Sequence, residues 1–171
     1  MSSLRSYLME ITNEYGRVLS MYRALTNLNN ACSSGEYEGV VKEALIESIL
    51  VHSRNLVQFF KIVRGRRYKD VIYYLPYLRR GTAREFRKRV SACPGYGDAQ
   101  GIIRSVNKYV AHLTKDFAES GGKVIMDVNS VIVIVKLLCC VFSVFADYVD
   151  SRIVGDDVFN ALRSIVGDCV K

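Results

Sequence analysis

Leu4, Leu8, Ile11, Tyr15, Val18, Leu19, Tyr22, Leu25 and Leu28 recur mostly at steps of three and four residues. That spacing gathers them on one face of a helix over 4–30. A helix with a single apolar stripe has to lay it against other elements. Only two prolines occur in 171 residues, and glycine collects mainly between the periodic segments. Long helices are therefore expected, not a sandwich of short strands.

The run "NNACSSGEYEG" ends the first helix with Asn, Ser and Gly. A second helix is predicted over 37–64, through "VVKEALIESILVHSRNLVQFFKIV". Gly65, Pro76 and Gly81 then punctuate the chain into short helical pieces. "REFRKRV" has the makings of a turn or two of helix, and "SACPGYGD" is a loop by composition. Asp98 is a candidate N-cap for a third long helix over 98–117, which "ESGGK" ends. A fourth helix spans 127–150, with Asp127 as its cap, although the β-branched stretch 124–135 also admits a strand. It is apolar nearly all round, which places it centrally. The amphipathic "DDVFNALRSIVGDCV" closes the chain. The expectation is an all-α bundle of four to five helices, one domain over 1–171 with a basic connector at about 61–97.

"VIVIVKLLCCVFSVFA", 131–146, has sixteen residues with Lys136 near its centre. A spanning helix wants about 20 apolar residues with no central charge, so a buried bundle helix is the reading and no membrane is expected. The five cysteines are odd in number and lack a C-x-x-C pair. Cys139 and Cys140 stand side by side in the apolar run, where a free thiol acts as a small hydrophobe. With only two histidines besides, neither a metal site nor a cofactor is expected. The start "MSSLRSYLMEITNEYG" lacks the apolar core of a signal peptide, and a reducing cytoplasm is the expected location.

Residues 61–90 contain eleven Lys or Arg against Asp70 and Glu85, a balance of +9. The rest of the chain holds thirteen basic and fifteen acidic residues, a balance of −2. All the net positive charge thus comes from one thirty-residue piece, and charge of this kind speaks about partners and not about fold. Arg64, Arg66, Arg67, Arg79, Arg80, Arg84, Arg87, Lys88 and Arg89 are the candidate phosphate contacts, with Lys108 beyond the segment. Tyr68, Tyr73, Tyr74 and Tyr77 would stack on bases where exposed. RNA is the partner favoured; an acidic protein, or a plain solvated connector with its tyrosines packed on the bundle, is the competing explanation.

Two polar stripes stand out. On the third helix, Arg104, Lys108 and His112 face away from Ile103, Val106, Val110, Leu113 and Phe117, with Asn107 at the border. A histidine there is either an ordinary outer-face residue or an acid–base group whose pKa the neighbouring cations hold down. On the second helix, Glu47, Arg54 and Gln58 share a face with Asn55, while His52 falls on the more apolar side. They form either a surface ion pair or, with Arg54 and Asn55 facing the third helix, part of one polar pocket.

"ALIESILVHSRNLVQFF" (44–60) and "VNKYVAHLTKDF" (106–117) together resemble a family of bacterial helical proteins with an Asn-Lys-x-x-Ala-His-Leu-Thr segment. Those in turn resemble the HEPN superfamily of helical bundles. The superfamily includes RNA-cleaving toxins, phage-defence nucleases and non-catalytic members. Its usual site is an Arg and a His with four to six residues between them, two copies meeting across a dimer cleft, with no metal. The resemblance implies His112 as the motif histidine and Asn107 as its polar neighbour. Val106, Ser105 and Asn107 hold the positions where the arginine belongs, and Arg104 lies just outside them. That departure favours a non-catalytic RNA-binding or protein-interaction module of a toxin, defence or regulatory system, acting as a homodimer. The alternative is a metal-independent endoribonuclease, with His112 transferring protons and Arg104 steadying the phosphorane charge.

Overall fold

The computed structural model describes residues 2–30, 36–62, 73–110, 127–167 and 169, less the side chains of Ser2, Glu36 and 108–110. Within these residues lie seven α-helices: α1 (Ser2–Asn30), α2 (Glu36–Phe59), α3 (Ala83–Ser91), α4 (Ala99–Val110), α5 (Val128–Tyr148), α6 (Ser151–Val154) and α7 (Asp156–Gly167). A 3-10 turn at Leu75–Tyr77 completes the set. The all-α class is correct. The helix count exceeds the expected four to five because short pieces, nine-residue α3 and four-residue α6 among them, are helices in their own right.

α1 and α2 run antiparallel: the Tyr7 ring lies 6.3 Å from Phe59, and Glu14 bonds His52 at 3.1 Å. α5 is the central helix, packing on α1, α2, α3, α4 and α7. From residue 128 onward the β-branched stretch is helical and not a strand, because ten buried side chains of α5 give it a nearly continuous apolar surface to bury. Asp127 caps it, its carboxylate accepting from the Ser130 amide at 2.6 Å. By length and composition α5 is the one helix among the described residues able to cross a membrane, and half of its most apolar stretch is buried against the other helices.

α2 ends earlier than expected, at Phe59. The Ile62 amide donates to the Val57 carbonyl at 3.1 Å and the Lys61 amide to Gln58 at 2.9 Å. This double closure is a Schellman motif, whose left-handed position is usually glycine. Here Lys61 occupies it at φ 54°. A side chain in that conformation costs about 1 kcal/mol.

The connector is hooked onto the end of α5. Asp150 donates its amide to the Tyr77 carbonyl at 2.8 Å, and Arg79 returns one to Tyr148 at 2.9 Å. α3 then settles on α5 through Phe86 and Val90, both buried.

The cysteines overturn an expectation. Cys93 is bonded to Cys140 and Cys139 to Cys169, with Cα–Cα distances of 5.8 and 5.7 Å, as disulfide geometry requires. The neighbouring cysteines of α5 are thus two anchors, one for the loop after α3 and one for the C-terminal segment. Cysteines so far apart in sequence carry no local signature of pairing, which is why they read as small hydrophobes. Disulfides persist in oxidising surroundings, so cysteine usage no longer argues for a reducing cytoplasm. Iodoacetamide applied to denatured protein isolated without reductant should modify one cysteine per chain, Cys32, and all five after reduction. Five before reduction would refute the pairing.

Candidate functional site

On α3, the 100° step per residue puts Phe86 and Val90 on the core side and Arg84 and Lys88 opposite them. Arg87 and Arg89 occupy the flanks. The anchoring of each cation follows from this arrangement. Arg89 reaches the Asp147 carboxylate at 3.0 Å and lies 5.4 Å from the Tyr148 ring centroid. Arg79 donates to the Asp147 carbonyl and lies over the same ring. Arg87 donates through Nε to the Tyr74 hydroxyl at 2.9 Å, which raises its pKa further above the ordinary guanidinium value. Hydrogen bonds from Tyr148 and Asp147 do the same for Arg89. Arg87 and Arg89 are charged at every physiological pH, and all three side chains point where their partners hold them.

Arg80, Arg84 and Lys88 are exposed and have no partner among the described residues. They form the outward ridge of the connector. Arg64, Arg66 and Arg67 lie outside the described residues, as does Tyr68. The stacking expectation is corrected for two of the remaining tyrosines: Tyr74 and Tyr77 are buried at 2% and 0% exposure, because the 3-10 turn directs both into the core. Tyr73 is half-buried, with Lys61 Nζ 3.8 Å above its ring.

Between this ridge and the end of α2 is a cavity of about 440 Å³. Phe60 and Phe86 form its floor, Tyr96 a wall, and Lys61, Arg87 and Lys88 its rim. No acidic side chain is among the described residues lining it. Sequence reasoning counted Lys61 only as one charge among eleven and passed over Tyr96. The cue to Lys61 is its backbone conformation, which a sequence does not display.

The two polar stripes fare differently. His112 lies outside the described residues, and so does the side chain of Lys108. Arg104 is exposed on α4, and Asn107 is half-buried, its buried Oδ1 without a partner among the described residues. On α2, Glu47, Arg54 and Gln58 are half-buried. The buried Nε of Arg54 has no partner among the described residues. α2 and α4 do pack together, yet that donor and that acceptor do not pair. Asn55 instead faces α1, where it donates to Glu14 Oε1 at 2.9 Å.

The same carboxylate oxygen lies 3.1 Å from His52 Nδ1. His52, read as belonging to the apolar side, therefore sits at the α1–α2 seam, oriented by a carboxylate. It borders an open depression on α1 beside Asn13, Arg17 and Ser20. Glu14 drew no attention in the sequence because its partners lie 38 and 41 residues away.

The chain matches no protein-family model, no curated protein and no solved structure. The HEPN-like reading accordingly rests on the two sequence segments that carry it.

The geometry of α3 makes a stability contrast. Phe86→Ala should cost about 3–5 kcal/mol in urea denaturation, the usual result of emptying a buried aromatic site. Asp147→Ala, which frees Arg89 from a solvent-exposed carboxylate and leaves the bond from Arg79 to the residue 147 carbonyl, should cost only about 0–1 kcal/mol. Similar losses from both would mean that ion pairs, not packing, hold the ridge.

Proposed function

We propose that the protein is an RNA-binding module, HEPN-like in architecture and homodimeric, that engages the phosphate backbone with the outward ridge of α3. The observation that carries this reading is that Arg84 and Lys88, on a helix anchored by buried Phe86 and Val90, and Arg80 in the turn just before it are exposed with no partner among the described residues. A loose connector would bring the same charge but would have to be ordered on binding, at an entropic cost. A mounted ridge has already met that cost. Arg79, Arg87 and Arg89, fixed by their own partners, add field without needing to move.

Cleavage of the bound RNA is not part of this reading. The superfamily's arginine position is occupied here by Val106, Ser105 and Asn107, and the ridge needs no reaction to account for it. By the resemblance, a module of this kind would serve a toxin, defence or regulatory system.

Binding through phosphate contacts makes affinity fall with salt, the slope of log K against log salt changing by about 0.7 for each cation lost on a single strand. Replacing Arg80, Arg84 and Lys88 together by alanine should therefore flatten the slope for a labelled single-stranded RNA by about 2, with the melting temperature little changed. An unaltered slope would exclude the ridge as the contact surface. Tight, salt-sensitive binding of an acidic polypeptide with none of RNA would instead favour a protein partner.

A further inference from the structure

We infer that the cavity between α3 and the end of α2 is a slot for one unpaired nucleotide, its base against Tyr96 and its phosphate on Lys61, Arg87 and Lys88. The inference rests on the RNA-binding reading and adds what that reading leaves open, a preference for bases that are free of a duplex.

The cavity's chemistry points to this ligand class. Its volume of about 440 Å³ falls in the lower part of the range that small-molecule sites occupy, about 300–1,000 Å³. Its floor is aromatic, its rim carries three cations, and no acid lines it among the described residues. A purely apolar ligand would leave the rim unused, and a bare phosphate would leave the floor unused. A flat aromatic group joined to a phosphate uses both. A duplex holds its bases stacked inside and offers the slot nothing but backbone, whereas base–aromatic stacking is the common device for gripping single strands.

Two costly features converge on the slot. Lys61 holds the left-handed position that ends α2, at φ 54°, where glycine would be the easier occupant. Strained positions of this kind cluster at binding sites, where the surrounding fold enforces them. The strain here places a cation at the rim. Tyr96 is held from the other side. The Cys93–Cys140 disulfide ties its loop to α5, and the Tyr96 amide donates to Cys93 at 3.2 Å. Gly95, at φ 79°, lets the backbone press against α5, where a Cβ would come within 2.9 Å of Val133 Cγ1. The wall therefore belongs to the bundle and is in place before any ligand arrives. Arg87 is likewise held in advance through its bond to the buried Tyr74.

The experiment compares three labelled RNAs of ten nucleotides by fluorescence anisotropy: oligouridine, a fully abasic ribose-phosphate strand of equal charge, and a duplex. The slot predicts that oligouridine binds about fivefold to hundredfold more tightly than the abasic strand and more tightly than the duplex. Oligouridine carrying 4-thiouridine should photo-crosslink to the peptide that contains Tyr96. Lys61→Gly suits the backbone and should melt at the same temperature or higher, yet bind oligouridine severalfold more weakly. Equal affinity for the base-bearing and abasic strands, or crosslinks confined to other peptides, would overturn the slot while leaving the phosphate-binding ridge in place. Absence of binding to all three would overturn both.

Discussion

The Phe60 ring, in the last turn of the α2 segment, is the contact on which the rest of the structure depends. It lies 5.0 and 5.3 Å from Phe142 and Phe145 of α5, 6.3 Å from Phe86 of α3 and 6.2 Å from Tyr74 of the connector. Three helices and the segment joining them thus share one aromatic junction. The pairs of Phe60 with Phe142 and Phe145 are edge-to-face, as are those of Phe86 with Phe145 and Tyr148, and such pairs add about 0.5–1.5 kcal/mol each beyond simple burial. The backbone bonds between Tyr77, Arg79 and the end of α5 and the Cys93–Cys140 disulfide secure the two sides of the seat of α3.

That junction explains how the described part of the basic segment, from Tyr73 to Ser91, is seated despite its positive charge. Like charges repel, and a run of arginines has little apolar surface of its own to bury. The connector solves this by alternating function along α3: Phe86 and Val90 go into the core, Arg84 and Lys88 go out, and Arg87 and Arg89 are tied off at the flanks by Tyr74 and Asp147. The same floor that seats the helix becomes the floor of the cavity beside it. Packing and recognition are two uses of one set of rings.

The parts of this fold legible from the sequence are those that depend on neighbours along the chain. Periodicity located α1, the body of α2 and α5, and Asp127 announced its own cap. What escaped was set by partners distant in sequence. Cys139 and Cys140 look alike in their apolar run, but one meets Cys169 and the other Cys93. His52 falls on the more apolar side of its helix, and only the fold brings Glu14 of α1 opposite it. Tyr74 and Tyr77 looked available for stacking, but the 3-10 turn at Pro76 sends both inward. Of the candidate site, the charge of the ridge was readable, while the slot was not, because Lys61 and Tyr96 come together only through the ending of one helix and the tethering of a distant loop.

The central claim is that the basic stretch from Tyr73 to Ser91 is mounted on the bundle and is not a solvated connector. Native-state hydrogen exchange tests it directly. α3 amides such as Phe86, bonded to the Thr82 carbonyl at 2.9 Å, should be protected to within about tenfold of those in α5. Exchange of α3 at the rate of an unstructured chain, with α5 still protected, would contradict the account.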